Sequence, residues 1–151
     1  MQCVAYMRTA SKNHADEQLK MQKEVIKDFI SEKDWELTCV YSDISSGIDK
    51  NKNLKLMIED ARQGKFDIIV TTEPSRLFRN SGLSYEIRNL CSMSKTHIVT
   101  VDNRINTIQN HDDKLLSICS LFYEQEAEIR SQRIKAGIKH SKKHAVNQIN
   151  R

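Results

Sequence analysis

Two short segments carry the residue types needed for phosphodiester chemistry. Tyr6-Met7-Arg8-Thr9-Ala10-Ser11 closes an apolar N-terminal run, and Ser75-Arg76-Leu77-Phe78-Arg79 closes a second one. Each sets arginine and a hydroxyl just past an expected strand. A phosphate under attack gathers negative charge, and a guanidinium fork can hold two of its oxygens while a hydroxyl attacks. Asp43-Ile44-Ser45-Ser46-Gly47 lies between the two segments and adds a carboxylate. The same residues have plainer readings. Tyr6 suits a core strand, Arg8 and Arg76 suit ion pairs with Asp43, and Asp43 suits a cap on the loop that follows.

Positioning these groups requires a scaffold, and strand-like and helix-like patterns alternate along the chain. Val4 to Met7 reads as a buried strand. Glu17 to Lys33 reads as an amphipathic helix, with Leu19, Gln22, Val25, Ile26, Phe29 and Ile30 on one face. Leu37 to Tyr41 is strand-like. Leu54, Met57, Ile58 and Ala61 form a second helical stripe, and Gly64 fits its stop. Asp67 to Thr71 is a compact strand, Ser81 to Cys91 a third helix and Ile98 to Val101 a further strand. Pro74, the only proline, shapes the loop before Ser75-Arg76. This alternation predicts an α/β body over residues 1–110, with a mainly parallel central sheet of four to five strands and flanking helices. Ligands of such sheets collect at the carboxyl ends of the strands, where Arg8, Asp43 and Arg76 all fall.

Residues 111–151 follow another pattern. Leu115, Cys119, Phe122, Glu126 and Ile129 recur at alternating spacings of four and three, a seam of heptad character. A helix of roughly 30 residues would be roughly 45 Å long. Its first half is expected to pack on the body or on a second copy, as a dimer contact, and its second half to project. A shorter helix ending near Gly137, with the seam as intrachain core, is the alternative. Both belong to the same structural unit as the body.

Charge divides along the same line. The net charge is +4, yet residues 130–151 hold seven Lys/Arg (Arg130, Arg133, Lys135, Lys139, Lys142, Lys143 and Arg151) and no acid, leaving −3 on the other 129 residues. A basic tail suits a polyanion such as DNA, or simply a solvated helix end. His140 and His144 stand four apart on it, a spacing that can chelate metal, and are read as part of a solvated basic face. At 151 residues the chain suits one core, and its apolar runs are too short to cross a bilayer. No signal-peptide pattern opens it. Cys3, Cys39, Cys91 and Cys119 are widely spaced and are expected as reduced, mostly buried thiols of a cytoplasmic protein, not as zinc ligands. Thr9-Ala10-Ser11-Lys12-Asn13 lacks the glycines of a nucleotide-binding loop.

Taken together, these motifs resemble the serine recombinases: the resolvases, invertases and large serine integrases. The similarity rests on Tyr6-x-Arg8, Asp43-x-x-Ser46-Gly47, and Arg76-Leu77-x-Arg79. It extends to Gln22, Trp35, Glu59-Asp60-Ala61-Arg62-x-Gly64-Lys65-Phe66-Asp67 and Ser131-x-Arg133-x-Lys135-Ala136-Gly137, covering about residues 3 to 140. The resemblance implies attack of a serine hydroxyl on DNA phosphate, a covalent phosphoserine link, and strand exchange in a dimer that pairs into a tetramer, without metal or other cofactor. By the same resemblance, Arg8, Arg76 and Arg79 bind the phosphate, Tyr6 and Gln22 orient neighbours, and Asp43 positions an arginine or assists proton movement. The basic residues from Arg130 to Lys143 contact DNA. No helix-turn-helix pattern follows residue 143, so binding is expected to be backbone-driven and salt-sensitive.

Departures from the family pattern fall on the site itself. Ala10 stands where the family has its nucleophile, and Ser11 follows it. Ser75 replaces an acid before Arg76, and Glu73 replaces a basic residue. Asn51 stands in place of an arginine, as does Ala127 after Glu126. Three readings stand open: an engineered Ala10, a displaced nucleophile at Ser11, or a domain that has lost cleavage and keeps its fold for assembly. If the first strand runs on through Ser11, its side chain faces away from position 10, and it can serve only if the chain turns there.

Overall fold

The computed structural model describes residues 1–45, 51–78, 81–109, 125, 128–129 and 131–139. Its strands are β1 (Gln2–Thr9), β2 (Glu36–Ile44), β3 (Ile68–Thr71) and β4 (His97–Thr100). The helices are α1 (Ala15–Ser31), α2 (Lys52–Arg62), the one-turn α3 (Pro74–Leu77) and α4 (Ser81–Ser94). The sheet order is β2-β1-β3-β4, and every strand pairing is parallel. β1 therefore sits inside the sheet, with neighbours on both edges, which explains its unbroken burial from Cys3 to Thr9.

Side chains alternate across β1 and feed two cores. Val4 and Tyr6 join Ile69, Ile98, Leu54, Met57, Ile58, Ile87 and Leu90 on the face covered by α2 and α4. Cys3, Ala5 and Met7 join Ile68, Val70 and Val99 on the face covered by Ile26 and Ile30 of α1. Arg8 falls in the Tyr6 set and Thr9 in the Met7 set. The first two side chains of the Ser75–Phe78 stretch after Arg76, Leu77 and Phe78, are fully buried in the first core. That burial fixes where the Arg76 backbone can lie.

Several expectations shift in detail. Val25 is exposed, so the buried face of α1 is narrower than its apolar pattern. β2 runs on to Ile44 and carries Asp43 within the strand. Pro74 opens a helical turn, at the position where its missing N–H costs nothing. Gly64 ends α2 with φ +69, and its N–H reaches the Ala61 carbonyl, as a left-handed helix stop requires. Cys3 is buried, Cys91 half-buried and Cys39 exposed, so the thiols are not uniformly interior. Residues 131–139 are helical and exposed throughout. Of the expected dimer seam only Ile129 is described, and it is exposed. Leu115, Cys119, Phe122, Glu126, Arg130, Lys142 and Lys143 lie outside the described residues. Among the described residues no helix is long and apolar enough to cross a membrane, and no three metal-ligating side chains cluster.

The outer edge of the sheet is tied down by ionisable groups. Tyr41 donates to Asp60 Oδ2 at 2.6 Å, and Lys65 Nζ holds Asp60 Oδ1 at 2.6 Å. The Lys65 hydrogen bond, then that of Tyr41, keeps the Asp60 carboxyl below its usual range. Burial, then the bond to Asp60, pushes the Tyr41 hydroxyl up. Burial likewise raises the Cys3 thiol from 9.0 to about 11. Both raised groups keep their protons longer in the folded chain than in the unfolded one. The stability that Cys3 contributes is therefore full below about pH 9 and is lost as pH climbs through about 11. A thermal-melting series should show that decline, and Cys3→Ala should make it shallower between pH 9 and 10.

Candidate active site

Parallel pairing of β1 with β2 sets Arg8 beside Asp43 at the carboxyl end of the sheet. Arg8 is 2% exposed, and its guanidinium is turned onto main-chain carbonyls. Nε donates to Arg76 O at 3.2 Å, Nη1 to Ser45 O at 3.1 Å and Nη2 to Ser75 O at 3.1 Å. One side chain on β1 thereby clasps the segments that follow β2 and β3. The planar fork makes this possible, since its donors point in fixed, divergent directions. The Arg8 backbone is itself gripped from α1: Gln22 Nε2 donates to Arg8 O at 3.1 Å, and Arg8 N donates to Gln22 Oε1 at 3.3 Å.

Arg76 returns the contact. Its Nη1 donates to Arg8 O at 3.1 Å, so the two arginines adjoin although 68 positions separate them. Nη2 is ion-paired to Glu73 Oε1 at 2.9 Å. The same carboxylate oxygen accepts the Ser75 hydroxyl at 2.9 Å. Arg76 Nε is buried and has no hydrogen-bond partner among the described residues.

Asp43 is buried and organises the start of α2. Its carboxylate accepts the N–H groups of Asn53, at 3.1 Å, and Leu54, at 2.9 Å, and the Tyr6 hydroxyl at 3.0 Å. A carboxylate on two N-terminal amides is where the helix dipole favours it. Asp43 makes no ion pair with an arginine among the described residues, so its geometry is that of a cap. Ser45 N–H continues the β1 ladder to Thr9 O at 2.9 Å, while its hydroxyl bonds to Asn51 Oδ1.

Beyond Thr9 the strand stops. Ala10 is an exposed bend residue and Ser11 is half-buried outside the strand. Thr9 Oγ1 bonds to Gln18 Oε1 of α1 and accepts Ser11 N–H at 3.3 Å. Strand alternation therefore does not dictate where the Ser11 side chain points. Arg79, Ser46 and Gly47 lie outside the described residues.

Tyr6, Arg8, Asp43 and Arg76 thus come together at one end of the sheet, with Ser11 in the turn leaving β1. Sequence reasoning missed Glu73 as the partner of Arg76, although its i,i+3 spacing across a proline-started turn signals one. It also missed Asn53, Gln18 and Asn51, whose bonds run to groups remote in sequence or to main chain.

The family model described as Resolvase, N terminal domain, matches residues 3–147. No curated protein sequence matches the chain. Among solved structures it is similar to a resolvase family site-specific recombinase from Streptococcus pneumoniae, with TM-score 0.70 and 23% identity over 94% of this chain and 99% of that one. It is similar to the N-terminal catalytic domain of TP901-1 integrase, with TM-score 0.70 and 20% identity over 86% of this chain and 99% of that one. A third likeness is to the C-terminal catalytic domain of ISC1926 TnpA, an IS607-like serine recombinase, with TM-score 0.61 and 26% identity over 67% of this chain and 69% of that one. The family match spans nearly all of the sequence and the sheet beneath it has the same fold, so this chain belongs to the resolvase family of serine recombinase catalytic domains.

Proposed function

We propose that the chain is a site-specific DNA recombinase domain that cuts and exchanges strands through a phosphoserine link. The supporting observation is Arg76, whose guanidinium reaches the carboxyl end of β1 while its buried Nε–H lacks an acceptor among the described residues. A buried charged donor without a partner is costly, and a phosphate oxygen is the acceptor that suits it in charge and geometry. The turn that begins at Ala10 carries Ser11, which we assign as the nucleophile. Its Oγ forms a bond to phosphorus, the bond from phosphorus to a deoxyribose oxygen breaks, and that oxygen leaves as a hydroxyl with a proton equivalent to the one serine gives up. Attack by a hydroxyl from another strand reverses the step. DNA backbone would be tracked by Arg130, Arg133, Lys135, Lys139, Lys142 and Lys143; of these Arg133, Lys135 and Lys139 are exposed on the helical segment 131–139. We place the protein in the cytoplasm as a homodimer, with a tetramer during exchange, and without a cofactor.

One observation favours a second reading. Ala10, at the family's nucleophile position, is exposed and carries no hydroxyl. A recombinase-like protein without cleavage would still dimerise on DNA and regulate recombination or transcription. Covalent capture separates the two. The protein is mixed with labelled, nicked duplexes of pooled random sequence, quenched with denaturant and run on a gel. An adduct from the native chain and from Ala10→Ser, absent in Ser11→Ala, supports the enzyme. Lack of adduct from both of the first two selects the non-cutting reading, and an adduct that survives Ser11→Ala removes Ser11 from its role.

A further inference from the structure

We infer that Glu73 is a built-in counter-ion of Arg76, a positioning residue that presents the guanidinium and yields it to an arriving phosphate. This rests on the reading of Arg76 as a phosphate grip. Three contacts fix the arrangement. Glu73 Oε1 takes Arg76 Nη2 at 2.9 Å, the Ser75 hydroxyl donates to the same oxygen at 2.9 Å, and Arg76 Nη1 is tethered to Arg8 O at 3.1 Å. Glu73 stands in extended conformation at the N-cap of α3, immediately before Pro74, and Arg76 N–H closes the turn onto Glu73 O at 3.2 Å. The carboxylate is thus carried on a short, stiff link to the cation it neutralises.

The chemistry of the fork gives this pair its meaning. Nε–H and one N–H of Nη2 lie side by side along one edge of a guanidinium and together fit two oxygens of a carboxylate or phosphate. In Arg76 that edge is half used: Nη2 is on Glu73, and Nε has no hydrogen-bond partner among the described residues. Glu73 holds the fork in orientation with a single oxygen. A phosphate that takes Nε can complete the edge only by displacing Glu73 from Nη2. Nε itself is buried, whereas the Glu73 side chain is 40% exposed, so the carboxylate can swing out into solvent and open this edge to an anion. The residue therefore trades affinity for preorganisation. It keeps Arg76 aimed in the empty site and repels stray anions.

The test uses inorganic phosphate and the full chain with ¹⁵N-labelled arginine. The Arg76 Nε–Hε resonance, assigned by its loss in Arg76→Gln, is followed by NMR during titration. Glu73→Gln keeps an oxygen that can accept from Ser75 and Arg76 but removes the charge. Half-saturation of the Arg76 shift is expected at no less than about fivefold lower phosphate in Glu73→Gln, the factor for a unit charge about 4 Å away screened as in bulk water. Equal half-saturation in the two proteins overturns the role of Glu73 and leaves the grip standing. A resonance that moves in neither protein overturns both. Strand cleavage plays no part in the readout, so the outcome is independent of whether Ser11 forms an adduct.

Discussion

Arg8→Ala is expected to lower unfolding stability by about 3–5 kcal/mol, read from the urea midpoint at constant m-value. The residue is fully interior, and its donors serve the carbonyls of Ser45, Ser75 and Arg76. Removing it leaves the buried Ser45 oxygen and the part-buried Ser75 and Arg76 oxygens without their charged donor, at about 1–3 kcal/mol each where water cannot replace it. It also opens a void at the end of β1. Arg8→Lys should recover little, because one ammonium on a flexible stem cannot bond in the divergent directions of a planar fork. Arg8→Met separates the two contributions, since it fills most of the volume and donates nothing. If Arg8→Met is as stable as the native chain, the carbonyl clasp is not what secures the two loops. On the proposed recombinase reading, strand cleavage would be lost in Arg8→Ala even if Arg8 never touched DNA, since Arg76 is tethered to the Arg8 carbonyl.

A second large effect is expected at Asp43. Asp43→Ala should cost about 2–4 kcal/mol, combining the loss of a charged cap with a stranded Tyr6 hydroxyl. The carboxylate serves Asn53 N–H, Leu54 N–H and Tyr6 Oη together. Asp43→Asn retains one oxygen and should lose about half as much. Tyr6→Phe removes only the hydroxyl donor and should cost about 1 kcal/mol. Hydrogen exchange offers the local check: the Leu54 amide should exchange markedly faster in Asp43→Ala at matched global stability. Unchanged protection there would mean that Asp43 does not cap α2 and that its carboxylate is free for other work.

The fold was legible because its signals are periodic. The apolar runs at Val4, Ile68 and Ile98 and the stripe Leu54, Met57, Ile58 and Ala61 repeat at strand and helix spacing, and burial follows them closely. The convergence of Arg8 and Arg76 was legible too, since parallel strands align their carboxyl ends. Other features lack such a signal. Val25 fits the apolar stripe of α1 yet faces solvent, because a single sheet face covers a narrower arc of helix than the sequence offers. The end of β1 at Thr9 is set by the bond to Gln18 and by the turn, not by any proline or glycine. Most of all, the engagement of Arg8 was hidden. Arginine beside a strand end reads as a ligand for anions, whereas three of its bonds go to carbonyl oxygens, which leave no mark in a sequence.

Those acceptors have an evolutionary corollary. Every amino acid brings an identical peptide oxygen, so positions 45 and 75 can be re-lettered over generations while the arginine at position 8 keeps its anchorage. The architecture here is inherited through the polypeptide's common thread, which leaves the side chains of these loops at liberty to diversify.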